Sequence, residues 1–193
     1  MSNLRLFASI ATVLVQGTNA LHFQNAVEAE PAQKHFPVCS AKDRKQYADH
    51  DSDVNFVAGK DKKKSRDEGK VPFVTGKGLA KMLEEQKPFL VVFFASWCPH
   101  CQVVVEHGVD DDSIETAPLE LALAALQGKK SEVAVVKFDA SDPASLSDIP
   151  QAFGAVEAFP TVAGITSEGK LRAFEQDPRV AANLEAFAEA LVK

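Results

Sequence analysis

Two of the three cysteines, Cys98 and Cys101, stand three positions apart in a stretch that could carry redox chemistry. On a helix this spacing brings both thiols to one turn, close enough for a disulfide. A thiolate at a helix start is stabilised by unpaired backbone N–H groups and by the positive end of the helix dipole. Pro99 suits the first helical position, and a cationic His100 would stabilise the thiolate further. Residue types and spacing therefore predict a reactive thiolate at Cys98.

Three other uses of this cysteine pair are open from the residues alone, and each fits less well. A structural disulfide would need neither a helix start nor the preceding Trp97. A zinc site takes about four ligands, and Cys39 with the five histidines offers no second close pair. Haem attachment needs a histidine directly after the second cysteine, where this chain has Gln102. The sequence therefore predicts redox chemistry with no metal and no cofactor.

The cysteine pair follows a predicted buried strand. Residues 89–95 form a continuous apolar run, which is typical of a central parallel strand covered on both faces. Ahead of this run we predict a short strand at 71–75. The helix between the two strands is indicated by the apolar stripe of Leu79, Met82 and Leu83.

Helices and strands continue to alternate towards the C-terminus. We predict helices at 101–107, 118–126 and 144–153, strands at 133–138, 161–166 and 171–175, and then a last helix. Asp177 and Pro178 are predicted as the N-cap and first residue of that helix. Its buried stripe is predicted to be Val180, Leu184, Phe187 and Leu191. This order predicts an α/β domain with a mixed central sheet and helices on both faces.

The first 70 residues are expected to lie outside this domain. Residues 1–20 have no acidic side chain and combine Arg5, an apolar run over Leu6 to Val15 and a small-residue ending, the pattern of a cleavable secretory signal. The apolar run is too short to span a bilayer, so we expect no membrane attachment after cleavage. Residues 21–70 read as a polar, flexible extension or linker. A net charge of −6 gives no indication of a nucleic-acid partner.

Three motifs, in this order, resemble the thioredoxin superfamily. They are Trp97-Cys98-Pro99-His100-Cys101 after an apolar strand, Lys137-Phe138-Asp139 at the end of another, and Phe159-Pro160-Thr161. The likeness covers residues 71–193 and is most similar to the catalytic domain of protein disulfide isomerases, with the C-P-H-C sequence typical of bacterial periplasmic disulfide oxidases. It implies a thioredoxin-like fold and a thiol–disulfide oxidoreductase of oxidase or isomerase type.

The resemblance also implies roles for individual residues. Cys98 would form a mixed disulfide with a protein substrate, Cys101 would resolve it, and His100 would assist. Pro160 would be a cis-proline beside them, and the backbone of Phe159 would pair with an extended substrate strand. The substrate-binding residues implied are Trp97, Pro99, Phe159 and Pro160. The expected partners are cysteine-containing proteins and a redox partner.

One position departs from the family pattern. The buried acid that usually precedes the first cysteine by six residues is replaced by Val92. This implies that Lys137 lacks its usual acidic partner and that Cys101 lacks a proton relay. The same departure keeps open a second interpretation, a low-turnover binding or chaperone module that holds chains in the groove beside Pro160.

Cys39 is the odd cysteine of the three. A free or buried thiol and an intermolecular disulfide with a partner molecule are both open for it. The signal predicts entry into the secretory pathway. Because residues 189–193 are no K-D-E-L-type retention signal, the endoplasmic reticulum lumen, secretion and another exported lumen are all open.

Overall fold

The computed structural model describes residues 36–50, 69–110 and 113–192, so the predicted signal at 1–20 lies outside the described residues. In these ranges the chain forms six strands: β1 (Cys39–Ser40), β2 (Phe89–Phe94), β3 (Ala134–Asp139), β4 (Ala158–Phe159), β5 (Thr161–Ile165) and β6 (Leu171–Ala173). The α-helices are α1 (Gly76–Glu85), α2 (Pro99–Val105), α3 (Pro118–Gly128), α4 (Pro143–Ser147) and α5 (Ala181–Glu189). Short 3-10 helices lie at Ala41–Lys45, Ala48–His50, Ile114–Thr116, Gln151–Phe153 and Ala190–Val192.

Four of these strands form the central sheet, in the order β3-β2-β5-β6. Strand β2 runs parallel to β3 and antiparallel to β5, so the sheet is mixed, as predicted. All six residues of β2 are fully buried. A central strand is covered on both faces, which is why an unbroken apolar sequence suits it. The strand that leads to the cysteines therefore lies in the middle of the core.

The helices complete the core. Helix α2 packs against α3, and α3 packs against α5. Leu119 and Leu126 of α3 and Leu184 of α5 belong to the same buried cluster as β2. None of the helices in the described ranges is long and apolar enough to cross a membrane. The combination of a mixed sheet with packed helices confirms the predicted α/β class.

The segment predicted as a strand at 71–75 forms only one bridge, from Phe73 to Lys137. Pro72 has no N–H and can only accept a hydrogen bond, which it does from the Lys137 N–H at 3.0 Å. Val74 donates its N–H to the Lys137 carbonyl at 2.9 Å. The chain contacts the edge of the sheet at Phe73 but does not form a strand over 71–75, so the predicted strand was wrong.

The predicted start of the last helix was also wrong. Helix α5 begins at Ala181 with Val180 as its N-cap. The Asp177 carboxylate instead accepts hydrogen bonds from the side chain and the backbone N–H of Arg179, two residues further along the chain. Val180, predicted in the buried stripe, is 46% exposed, whereas Leu184 is buried.

The helix predicted at 144–153 is two short elements. Helix α4 covers Pro143–Ser147 and a 3-10 helix covers Gln151–Phe153. Pro150 separates them, because a proline disfavours helical backbone in the residue before it and donates no hydrogen bond.

Candidate redox-active site

Cys98 lies at the junction between the central strand and helix α2. The chain leaves β2 at Phe94, and four residues later Cys98 is the N-cap of α2 with Pro99 at its first position. The Cys98 carbonyl accepts hydrogen bonds from the N–H groups of Cys101 and Gln102 at 2.9 and 3.1 Å. This is the strand-to-helix position that favours a thiolate when the cysteine is reduced.

In this structure Cys98 is bonded to Cys39. The two form a disulfide with Cα atoms 6.0 Å apart, across 59 residues of chain. Cys101 is a free, buried thiol. The sequence suggested a Cys98–Cys101 pair and left Cys39 either unpaired or bonded to another molecule. The structure corrects the expectation for Cys39, which pairs within its own chain with the predicted nucleophile.

Cys101 lies in an apolar setting one turn into α2. Its side chain has no exposed surface, and the Ala95 N–H points at its Sγ from 3.4 Å. Burial raises the pKa of the Cys101 thiol well above its ordinary value, and the nearby charges of Glu106 and Asp139 act in the same direction. The Ala95 N–H lowers this pKa, by less than burial raises it but by more than either charge does. Cys101 is therefore a thiol at neutral pH.

This raised pKa predicts a pH-dependent resolving step. Below the pKa the thiolate fraction grows about tenfold per pH unit. We expect the rate at which Cys101 releases glutathione from a Cys98–glutathione mixed disulfide to rise about tenfold per unit between pH 6 and 9. Stopped-flow measurement on Cys39→Ser protein, which removes the competing cysteine, would test it. A rate that levels off below pH 9 would contradict the raised pKa.

His100 is half-buried on the first turn of α2. Its pKa is lowered from the ordinary histidine value, first by burial and second by the positive charge of Arg179. A cationic His100 beside the thiolate was the expectation from the residue types. In this disulfide-bonded form, burial and Arg179 both favour the neutral imidazole.

The effect of Arg179 on His100 gives a second prediction. Arg179 is paired with Asp177 by three side-chain hydrogen bonds, the shortest 2.6 Å long. In Arg179→Gln the repelling cation is lost and Asp177 is no longer neutralised, so both changes should raise the His100 pKa. Asp177→Asn is the matched control and should lower it. NMR titration of the His100 ring protons measures both, and an unchanged His100 pKa in both variants would show that this pair does not act on the imidazole.

The Phe159–Pro160 peptide bond is cis, as the resemblance implied. Pro160 is buried, and the Phe159 carbonyl oxygen lies 3.5 Å from the Cys98 Sγ. The Trp97 ring is 5.9 Å from the Phe159 ring in an edge-on contact. The Trp97 indole N–H donates to the Ser141 carbonyl at 3.3 Å, which fixes the ring beside the cysteine. Trp97, Cys98, Phe159 and Pro160 are thus brought together, with Pro99 and His100 half-buried beside them.

Lys137 has the acidic partner that the sequence analysis did not find for it. Its Nζ lies 3.9 Å from Glu120 Oε1, and both side chains are buried. The Glu120 carboxylate also accepts the backbone N–H groups of Lys70 at 2.8 Å and Val71 at 3.1 Å. Val92 is fully buried and stands in register with Lys137 on the neighbouring strand. The expectation of an unpartnered lysine was therefore wrong: an acid from helix α3 reaches it.

Sequence reasoning missed Gln102 and Glu120 as well as the partner of Cys39. Gln102 is buried next to Cys101, and its side-chain amide donates to the Ser96 carbonyl at 2.6 Å and to the His50 carbonyl. A buried amide needs hydrogen-bond partners, but the burial of Gln102 is seen only in the fold. Within the described ranges no three His, Cys, Asp or Glu residues are grouped so as to hold a metal.

The mixed sheet, the cysteine at a helix start and the adjacent cis-proline define the thioredoxin fold. The thioredoxin family model matches residues 70–190, and the chain belongs to that family. It is 36% identical over 97 residues to the probable protein disulfide-isomerase A4 of Caenorhabditis elegans, an alignment covering 50% of this chain and 13% of that protein. It is 30% identical over 159 residues to the protein disulfide-isomerase erp38 of Neurospora crassa, covering 79% of this chain and 39% of that protein.

Two solved structures are similar to part of this chain. The chain aligns with human ERp44 at 17% identity and a TM-score of 0.48, covering 63% of this chain and 30% of the other. It aligns with the J-Trx1 fragment of ERdj5 at 14% identity and a TM-score of 0.47, covering 62% and 50%. The chain spans well under half the length of the two curated relatives that it matches.

Proposed function

We propose that this chain is a protein thiol–disulfide oxidoreductase of the protein disulfide isomerase type, with Cys98 as nucleophile and Cys101 as resolving thiol. The observation that carries the proposal is the setting of Cys98. It caps helix α2, lies against the backbone of Phe159 ahead of cis-Pro160, and bonds to a cysteine on a strand paired with that backbone. This is the geometry that a mixed disulfide with an extended polypeptide requires.

In the reducing direction the Cys98 thiolate attacks one sulfur of a substrate disulfide. A Cys98–substrate S–S bond forms, the substrate S–S bond breaks, and the leaving sulfur takes the electron pair and then a proton. Cys101 next loses its proton and attacks Cys98 Sγ, which releases the second substrate thiolate and leaves a Cys98–Cys101 disulfide. The substrate is reduced by two electrons and the protein is oxidised by two. The reverse sequence oxidises a substrate dithiol.

Substrate recognition in this proposal is by main chain. The backbone of Phe159 and Ala158 offers a short strand edge beside Cys98, and an added strand gains affinity from backbone hydrogen bonds with little sequence selectivity. Trp97 and Pro160 are buried beside Cys98, and Pro99 and His100 are half-buried. The substrates proposed are therefore extended, cysteine-containing segments of other proteins.

The proposed compartment is the secretory pathway. Both curated relatives are protein disulfide isomerases by name, and the first twenty residues of this chain have the pattern of an export signal. Disulfides persist in such compartments. We also propose a redox partner that returns Cys98 and Cys101 to their starting oxidation state after each cycle.

A second candidate is a binding module that captures chains and turns over slowly. The buried Cys101 thiol, with its raised pKa, favours it, because a slow resolving step would prolong each mixed disulfide. Turnover separates the two. Protein at about one-hundredth of the substrate concentration should catalyse insulin reduction by dithiothreitol and oxidation of a dithiol peptide by glutathione disulfide over many cycles. Acceleration limited to about one equivalent of protein would favour the binding module.

A further inference from the structure

Residues 36–50, here called the N-terminal cover, occupy the strand edge proposed for substrates. Strand β1 pairs antiparallel with β4, with Cys39 opposite Phe159 and Ser40 opposite Ala158. These are the two residues directly before cis-Pro160. A strand added at this edge is the binding mode expected of an extended substrate.

Several contacts outside the strand pairing hold the cover in place. Phe36 is 7% exposed, and the Tyr47 ring packs against the core. The carbonyl of His50, at the end of the cover, accepts a hydrogen bond from the Gln102 side chain of helix α2. Ser40 and Asp43 form a capping box that begins the 3-10 helix after β1. The cover is thus fastened to the same helix that carries Cys98 and Cys101.

The disulfide completes the likeness to a bound substrate. Cys39 is bonded to Cys98, the proposed nucleophile, and both residues have no exposed surface. Cys101 remains a thiol one turn away on α2. The arrangement is that of a mixed disulfide within one chain. Cys39 has the place of the substrate cysteine, Cys98 that of the nucleophile and Cys101 that of the resolving thiol.

We propose that the N-terminal cover is a tethered pseudosubstrate and that Cys39 is a third redox-active cysteine, which caps Cys98 and is released by Cys101. The proposal rests on the oxidoreductase function above, because it needs Cys101 to attack Cys98. It adds a closed form of the site, in which substrates are excluded both by the bond to Cys98 and by the strand on Phe159.

The interconversion is balanced within the chain. Cys101 gives up its proton, and its thiolate attacks Cys98 Sγ. The Cys98–Cys101 bond forms, the Cys39–Cys98 bond breaks, and the Cys39 sulfur leaves with the electron pair and takes a proton. One disulfide and one thiol exist before and after, so the step needs no external oxidant or reductant. This step converts the form with Cys98 bonded to Cys39 into the form with the oxidising Cys98–Cys101 disulfide.

The effect on substrates follows from the tether. A segment on the same chain competes at an effective concentration of about 1 mM. Substrate at about 10 µM therefore reacts slowly with the covered form, and we expect removal of Cys39 to accelerate the first oxidation of a dithiol peptide by about tenfold or more.

Disulfide mapping on the full chain tests the proposal. The singly oxidised protein is quenched in acid, its free thiols are alkylated, and its peptides are identified by mass spectrometry. Wild type should contain both Cys39–Cys98 and Cys98–Cys101. Cys101→Ser should hold Cys39–Cys98, and Cys39→Ser should hold Cys98–Cys101. Cys101→Ser should then react with a dithiol peptide about tenfold more slowly than Cys39→Ser.

A variant that keeps all three cysteines tests the packing of the cover. Tyr47→Ser removes a half-buried aromatic ring and should shift the wild-type mixture about tenfold towards Cys98–Cys101. Lys45→Ser changes an exposed residue of the same cover and should leave the mixture unchanged. An unchanged mixture in Tyr47→Ser would contradict the role of this packing.

The outcomes separate this proposal from the oxidoreductase function. If wild type maps only to Cys98–Cys101, or if Cys39 is alkylated freely in oxidised Cys101→Ser protein, the pseudosubstrate proposal is overturned while Cys39→Ser can still be active. If Cys39→Ser itself exchanges disulfides no faster than the uncatalysed reaction, the oxidoreductase function fails, and the pseudosubstrate proposal falls with it.

Discussion

Replacing Cys98 with serine is expected to lower the rate of catalysed disulfide exchange by about a thousandfold or more, since loss of a nucleophile usually removes most of the catalytic effect. A serine hydroxyl does not ionise near neutral pH and cannot form a mixed disulfide. The measurement is insulin reduction by dithiothreitol at catalytic protein concentration, compared with the uncatalysed rate.

The matched control for Cys98→Ser is Cys39→Ser. Both variants break the Cys39–Cys98 bond of the structure, so any effect of that bond on folding or on the N-terminal cover is common to them. Only Cys98→Ser should lose activity, and Cys39→Ser should retain or exceed the wild-type rate. A Cys98→Ser protein that keeps more than about a tenth of the activity would place the nucleophile elsewhere.

The second large effect is expected on stability, at Glu120. Glu120→Leu removes the carboxylate that pairs with buried Lys137 and accepts the N–H groups of Lys70 and Val71. Breaking one partner of a buried ion pair costs about 3 to 5 kcal/mol. We expect a loss near 3 kcal/mol, because the Lys137 ammonium keeps its place 4.6 Å from the centre of the Phe73 ring. Urea unfolding followed by circular dichroism measures the loss.

Two further variants define this effect. Glu84→Leu replaces an exposed glutamate of α1 and should change the unfolding free energy by no more than about 0.5 kcal/mol. Glu120→Leu with Lys137→Met removes both charges and should recover part of the loss, since no buried charge remains unbalanced. A loss below about 1 kcal/mol in Glu120→Leu would show that the pair contributes little to the fold.

Much of the fold could be predicted because its signals are local. The apolar run at β2 and the proline after Cys98 determine a buried strand followed by a helix start, and both appear where they were expected. The start of α5 could not be predicted from Asp177, because Arg179 holds that carboxylate through three side-chain hydrogen bonds. A good N-cap residue is available for capping only when no nearby cation holds it.

The features that escaped prediction depend on residues far apart in the chain. Cys39 and Cys98 are 59 positions apart, and nothing in the pattern around Cys39 indicates which element it meets. Glu120 reaches Lys137 of strand β3 from helix α3, and its place in an amphipathic sequence looks like that of any surface glutamate. Local periodicity predicts elements, whereas tertiary contacts decide which side chains share a site.

The most direct test of the account is whether Cys98 alone forms a mixed disulfide in the folded protein. In Cys39→Ser/Cys101→Ser protein Cys98 is the one remaining cysteine, and no resolving thiol can release what it captures. Incubation with glutathione disulfide or oxidised insulin, followed by acid quench and mass spectrometry of the intact chain, should give one adduct per molecule, located at Cys98. An adduct that forms only after the protein is unfolded would contradict Cys98 as the nucleophile.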